Sequence, residues 1–467
     1  MTARARIGRI LFAGPGGLPW IVVAALIGLG IAIVGTPNPT GDSGALIEGS
    51  IAIHGCLSDP STWGHCNGIP YAPLQYVPGI IMTEFGSSSG QMMAALSTLS
   101  TLAFVGVLLM GWRLMRQRGI DMAATALILV LSGPLLHYAA SAFGEMLAAF
   151  AFVAVVYSVA RRAPMPAIIG ATWLAGISKD TAVPFVIIIV AAVLLSSLSR
   201  PPWRDLKRPV IAAAVGSALA LITVTGLNLI RWGTLSNEAY NWDPFQAPLG
   251  QVPKSAAGLI ASPNGGLAIF WPAVMALVLA CVPLIVWGLR RPKGSRLWTT
   301  LPAALILLGA FAQVLVLGTW WAPFGWAAWG PRLALPVFAG LAFAVLYCYW
   351  QQIRNVLTWC RRVVWPLVLA IGVLVFTTLS NVGALVRPLI SNFQTPEDIC
   401  PLVGFSAETA EGYYRCLNWT MWNYDPRIVV GVEQLSLSTG ILVLGIVSAA
   451  AVTTLALLAS RTDEVLR

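Results

Sequence analysis

The sequence predicts an all-α polytopic membrane protein. It should have about twelve transmembrane helices, extracytoplasmic loops, and amphipathic helices on the membrane surface. Two observations carry that expectation. The 467 residues are 57% hydrophobic and only 10% charged, with a mean hydropathy of +0.79, against about 45–50% apolar and about a quarter charged in soluble domains. So few charges cannot cover a soluble chain of this size, and a disordered chain needs the opposite composition. Second, apolar runs recur at about twenty residues, the length of helix that crosses a bilayer. An outer-membrane barrel would instead show alternating segments of about ten residues.

The runs fall at 18–36, 90–111, 122–138, 144–160, 164–179, 181–199, 209–230, 266–289, 297–318, 333–350, 363–380 and 435–459. Several are short or interrupted by Pro and Gly. The net charge of +10 is a topology signal rather than a sign of nucleic-acid binding. With both termini cytoplasmic, the inner segments hold 21 of the 28 Lys and Arg, whereas 14 of the 18 carboxylates fall outside. That asymmetry orients the chain in the plasma or inner membrane with its long loops extracytoplasmic. Arg4, Arg6 and Arg9 precede an apolar stretch without a small-residue cleavage pattern, so the first run reads as a retained span. The inner loops are short and carry no phosphate-cradling glycine loop of the Walker or Rossmann kind.

The expected organisation is one transmembrane domain over 1–467, with outer loops at 37–89, 231–265, 319–332 and 381–434. Of seven cysteines, four lie in the two largest loops as local pairs, Cys56 with Cys66 and Cys400 with Cys416. An oxidising compartment favours disulfides there. The neighbouring His54 and His65 leave a Cys and His metal site as the alternative for the first pair.

Candidate chemistry gathers on the outer side. Asp42 stands just past the first span, and the apolar stretch Ala45 to Ile53, which contains Glu48, suits a helix on the membrane surface. A carboxylate at that depth can take the proton of a hydroxyl acceptor, although a solvated loop acid reads the same way. Glu145 begins the fourth span after the break that holds His137 and Tyr138. It is either a functional ionisable group or a helix N-terminal acid favoured by the macrodipole. Lys179, Arg231 and Arg332 are three of seven outer cations, suited to a phosphate or to lipid headgroups. Trp326 and Trp329, in a tryptophan-rich loop, offer an interfacial belt or a platform for a sugar or lipid.

Taken in order, these segments resemble the C-type (GT-C fold) superfamily of membrane glycosyltransferases that use polyprenyl-phosphate sugars. That group includes protein O-mannosyltransferases, aminoarabinose transferases, and bacterial and mycobacterial arabinosyl- and mannosyltransferases. The carrying residues are Gly41-Asp42, Tyr71-Ala-Pro73-Leu74, Pro134 to Glu145, Lys179, Asn228-Leu-Ile-Arg231-Trp-Gly233, Gly258 to Leu267 with Trp271-Pro272, and Trp329-Gly-Pro331-Arg332. They span roughly residues 20–350. The resemblance implies inverting transfer of a sugar from a polyprenyl-phosphate donor to a hydroxyl of a cell-envelope glycan or glycolipid.

By position, Asp42 is then the base, with Glu145 a second catalytic candidate. Lys179, Arg332 and Arg231 would contact the donor phosphate, and Glu48, His137, Tyr138, Trp326 and Trp329 the acceptor side. A common pattern has a second acid directly after the first, where this chain has Ser43. No metal ligands are assigned and no cofactor is expected beyond the lipid-linked sugar, though a divalent metal is compatible. The expected partners are membrane lipid, donor and acceptor. A transporter or flippase without covalent chemistry is the competing class, and a scaffold within an envelope-assembly complex a third. The sugar, the acceptor and the oligomeric state are not legible.

Overall fold

The computed structural model describes residues 24–31, 42–66, 72–142, 144–179, 181–197, 206–238, 247–262, 265–320, 322–324, 330–362, 372, 400, 404, 409–423, 428–430 and 433–435. Their regular elements are helices apart from one antiparallel hairpin, Ile428–Val430 with Glu433–Leu435. The first helices are α1 (Asp42–Ser58), α2 (Pro73–Glu84), α3 (Ser89–Arg116), α4 (Ile120–Leu131), the single turn α5 (Leu135–Tyr138) and α6 (Glu145–Ala160). Then come α7 (Met165–Gly176), α8 (Ala182–Ser197), α9 (Lys207–Trp232) and α10 (Val252–Ala261). The chain continues through α11 (Leu267–Phe270), α12 (Pro272–Leu279), α13 (Cys281–Leu289), α14 (Lys293–Gly318), α15 (Leu335–Cys348), α16 (Trp350–Arg362) and α17 (Ala410–Asn423).

Among the described residues, four helical stretches are long and apolar enough to cross a membrane: α3, α9, α12 with α13, and α14. A fifth arises if α15 and the start of α16, bent by 83°, count as one span. The other described runs are short apolar helices, and α6, at 16 residues, is about 24 Å long. The expected run 122–138 stops as α4 at Leu131, where Ser132-Gly133-Pro134 turns the chain into α5. Run 266–289 breaks at Trp271 and Ala280. The expected spans at 363–380 and 435–459, and most of 18–36, lie outside the described residues, apart from single positions and the hairpin's Leu435.

At the centre are α6 and α15, the two helices buried round most of their circumference, with Phe152, Val156, Phe338 and Phe343 at 0–1% exposure. A helix apolar on all sides belongs in the middle of a bundle. The outer helices expose large apolar side chains instead, such as Ile222 and Phe311 at 66% and 60%, which suits lipid as the solvent.

Lipid gives two spans no hydrophobic reason to pair, so close backbone approach does that work. In α7 and α9 the approach is made by small residues. A Cβ on Gly216 would overlap Thr172 and the Ile169 carbonyl, and one on Gly176 would overlap Ala220. Contacts that advance together (172 with 216, 176 with 220) make the two helices parallel, and the Trp173 indole N–H donates to Thr223 Oγ1 at 3.0 Å. Their N-termini therefore lie at the same end.

The sequence-predicted surface helix is present as α1 and longer than expected. Leu46, Ile47 and Ile53 are buried against Tyr76 of α2, while Glu48 points outward. Ser50 Oγ donates to the carbonyls of Leu46 (2.7 Å) and Tyr76 (3.3 Å). Ile51, Ile81 and Phe85 stay exposed, an apolar fringe that suits the acyl boundary.

Helix α17 is tied onto α10 by a buried polar chain. Ser255 Oγ donates to Asn418 Oδ1 (3.1 Å), the Asn418 amide donates to Gln251 Oε1 (3.0 Å), and Gln251 Nε2 donates to Glu411 Oε1 (2.9 Å). Arg415 Nε adds 2.8 Å to the same carboxylate. These donors, Gln251 first and Arg415 second, hold the Glu411 carboxyl below its ordinary 4.5. A depressed carboxyl stabilises the docked form above its unfolded pKa, and that contribution is lost as pH falls through the depressed value. The amides of residues 410–423 should therefore be well protected at pH 7 and lose protection, relative to their intrinsic exchange, as pH falls through the depressed value of Glu411, and Glu411→Gln should remove that pH dependence. Hydrogen exchange read by mass spectrometry checks both.

Candidate functional site

Three cation- and carboxylate-bearing side chains singled out separately in the sequence meet at one end of the bundle. Glu145, the first residue of α6, is 2% exposed. Its Oε1 lies 3.4 Å from Lys179 Nζ and 3.4 Å from Arg332 Nε. Arg332 is itself buried at 4%, while a quarter of the Lys179 side chain reaches solvent. A carboxylate removed from water needs cations, and the α6 N-terminus adds its own positive end. Among the described residues, two cations share this one anion.

Local backbone features aim each member. After α7 the chain turns at Ile177 and Ser178, whose hydroxyl donates to the Ala175 carbonyl at 2.6 Å, and the Lys179 carbonyl accepts from Ala182 as α8 starts. On the Arg332 side, Gly330 has a φ of +67°, which glycine adopts without strain. A Cβ there would also press on Phe270. The turn sends Arg332 into a short 3₁₀ helix leading to α15.

From α2, the Leu74 N–H donates to the Ile177 carbonyl at 3.1 Å. Next to it the Gln75 side chain lies so close to Gly144 that any Cβ at 144 would collide with it. Gln75 Oε1 accepts from the Ala72 N–H at 3.1 Å, which orients the amide. The sequence reading passed over Gln75 and Tyr76. The signal available was their position, directly after the Tyr71-Ala-Pro73-Leu74 segment.

Arg231 lies at the end of α9, 1% exposed, with its guanidinium 5.3 Å from the Tyr76 ring centroid. Its Nη2 donates to Asn228 Oδ1 at 2.6 Å. Cation–π and hydrogen-bond contacts offset the cost of burying that charge. The segment after α1 is fastened nearby, since the Gly64 N–H donates to the Ile230 carbonyl at 2.7 Å.

Cys56 and Cys66 are joined as a disulfide, as are Cys400 and Cys416, with Cα separations of 5.8 and 5.6 Å. The disulfide alternative thus holds over the metal site for the first pair. Its neighbour His54 pairs instead with Glu84, 2.6 Å from Nε2 to the carboxylate.

Asp42 is the first residue of α1, and its side chain is outside the described residues. Trp326 and Trp329 also fall outside them. His137 and Tyr138 are buried in α5, packed edge to face at 4.8 Å. The turn that follows them is held by α3, where Thr101 Oγ1 donates to the Ala139 carbonyl at 2.8 Å and Ser97 to that of Ala140. Glu48 lies on the exposed side of α1.

The architecture is that of a polytopic helical membrane protein with a buried cluster of charged side chains at one end. No family model matches the chain, and no curated protein matches it. Two solved structures are similar to it. They are ArnT from Cupriavidus metallidurans bound to undecaprenyl phosphate, at 16% identity and a TM-score of 0.43, and ArnT from the same organism in the apo state, at 16% and 0.44. Each match covers 87% of this chain and 77% of the other.

Removing the shared carboxylate should expose the coupling in the cluster. Glu145→Gln is expected to cost about 3–5 kcal/mol, the scale for leaving a buried charge uncompensated. Adding Lys179→Gln should give back part of that loss, so the double variant costs less than the sum of the singles by about 1 kcal/mol or more. Thermal unfolding of the four proteins in one detergent checks it.

Proposed function

We propose that this protein is an inverting membrane glycosyltransferase. It moves a sugar from a polyprenyl-phosphate donor to a hydroxyl of a cell-envelope glycan or glycolipid at the extracytoplasmic face. The observation that carries this reading is the cluster of Glu145, Lys179 and Arg332, two cations on one carboxylate at a helix N-terminus. Its two cations are suited to the phosphate of a lipid-linked donor, and a phosphate oxygen can replace the carboxylate on either of them. Arg231 supplies a further buried cation on a neighbouring element.

In the reaction, the acceptor oxygen attacks the anomeric carbon while the bond from that carbon to the phosphate oxygen breaks. Polyprenyl phosphate leaves with the electron pair, and Asp42 takes the hydroxyl proton. One displacement inverts the anomeric carbon. Lys179 and Arg332 stabilise the charge that grows on the leaving phosphate. Glu145 keeps both cations in place before the donor arrives.

The cluster's position favours an enzyme over a transporter. Transporters hold substrate near the bilayer midplane with ionisable groups on broken helices. Here Glu145, Lys179, Arg231 and Arg332 all sit at helix ends.

In a purified assay with a lipid-linked sugar, Asp42→Asn should lower turnover by about 10²–10⁴-fold with donor binding nearly unchanged. Arg332→Ala should weaken donor binding itself. Full turnover by Asp42→Asn removes Asp42 as the base and turns attention to Glu145. The orientation has its own check: a cysteine introduced at Ser391 should react with an impermeant maleimide in intact cells. Labelling only after the membrane is opened would reverse the topology.

A further inference from the structure

The Gln75 side chain lies between the chain segments that carry Glu145 and Lys179, and one end of it is unused there. It is the third residue of α2 and is 5% exposed. Its neighbour Leu74 donates to the carbonyl of Ile177, two residues before Lys179. Its amide nitrogen lies over Gly144, the residue before Glu145, and would stand 2.9 Å from a Cβ there. Next along the helix, the Tyr76 ring faces the Arg231 guanidinium. One turn of α2 therefore touches the chain beside Glu145, beside Lys179 and at Arg231.

The oxygen end of Gln75 has a structural task. Oε1 accepts from the Ala72 N–H at 3.1 Å and closes the first turn of α2. Glutamate serves that bond as well as glutamine, and it would gain from the positive end of the helix. The cap alone thus gives no reason for an amide. The nitrogen end is what sets glutamine apart, and among the described residues its N–H groups have no acceptor. The Glu145 carboxylate is approached by Lys179 and Arg332, not by this amide. A buried donor without an acceptor is costly to keep.

Gly144 answers to the same placement. Its φ of −73° and ψ of −3° are ordinary right-handed backbone that any residue adopts. The glycine is there for room, since a Cβ would overlap Gln75 Cγ. A bare Cα lets the amide come down beside the start of α6 and fixes where its nitrogen lies. Two residues far apart in the chain thus combine to hold a pair of N–H groups open beside the cation cluster.

We infer that Gln75 binds the phosphate of the lipid-linked donor, with Nε2 donating to a phosphate oxygen drawn in by Lys179 and Arg332. This inference rests on the glycosyltransferase reading. The cations make an anionic oxygen the acceptor this space attracts, and a hydrogen bond to an anion is stronger than one between neutral groups. The lysine acts as a point charge on a flexible stem. A fixed amide adds the direction that it lacks, without further charge.

The test measures binding of a short-chain polyprenyl phosphate, which carries no sugar, to the purified full-length protein in nanodiscs. The melting temperature is read alongside. Gln75→Met, neutral and close in shape, should weaken binding about tenfold or more, the scale of a lost hydrogen bond to a charged group. Gln75→Glu should weaken it at least as much while melting as the wild type does, because the bond to Ala72 is kept. Gly144→Ala leaves every polar group in place but displaces the amide, and should weaken binding too. Glu84→Gln, exposed at the far end of α2, should bind as the wild type does. The inference is overturned if Gln75→Met and Gln75→Glu bind polyprenyl phosphate as Glu84→Gln does. That holds even where they weaken a sugar-bearing donor, since the amide then faces the sugar. It is equally overturned if Gln75→Met lowers the melting temperature while Gln75→Glu binds as the wild type, which marks a purely structural role. If the wild type itself binds no polyprenyl phosphate, the glycosyltransferase reading falls and takes this inference with it.

Discussion

A charge inside a low-dielectric bundle is tolerated only with a partner, and Glu145 sets the terms for everything around it. The carboxylate at the head of the central helix is removed from water and is held by cations from two distant parts of the chain. Coulomb attraction in such surroundings is several-fold stronger than in water. It carries geometric demands with it. Lys179 needs α7 to end where it does, Arg332 needs the left-handed turn at Gly330, and Gln75 needs a glycine at 144 to come close. The helices are packed so that their ends, rather than their middles, hold the polar groups.

The rest of the bundle is consistent with that division of labour. Interior packing uses apolar side chains and small residues at close crossings, as between α7 and α9, because lipid offers no hydrophobic drive for helices to associate. Polar chemistry is displaced to the two ends. At one end α1 packs on α2 and α17 on α10, the first followed by the Cys56–Cys66 disulfide and the second joined through Cys416 to Cys400 and through Asn418 to Gln251. At the other end Arg118, Arg162 and Arg208 line two cavities. The two ends differ in chemistry as well as in place. The first sets cations against a buried acid, and the described lining of the second is rich in arginine.

Several breaks in the helices have a local cause. Ser132-Gly133-Pro134 ends α4, and Gly133 is pressed against the Trp271 indole, whose N–H donates to the Leu129 carbonyl at 2.8 Å. A tryptophan from the break between α11 and α12 thus satisfies a carbonyl left open at the end of α4. One interruption thus satisfies a group left open at another far away in the chain, which is how backbone polar groups at such breaks are satisfied.

The amino-acid sequence by itself determined the class and much of the element list. Composition and twenty-residue apolar runs make a polytopic helical membrane protein because no other fold hides so much apolar surface. The helix after Asp42 and the pairing of Cys56 with Cys66 and of Cys400 with Cys416 were also legible, being local in the chain. Span integrity was less so: hydropathy averages over Ser132-Gly133-Pro134 and Trp271-Pro272, while backbone geometry does not. Only the tertiary structure decided that Glu145, Lys179 and Arg332 meet, since their separation in sequence says nothing about which helix ends coincide. It also gave Gln75 and Tyr76 their places, and it set Arg162 in left-handed backbone between two cavities. Those features depend on how parallel helices register against each other, and that register is set by close contacts such as Gly216 on Thr172 and Gly176 on Ala220, a few ångströms that no one-dimensional pattern records.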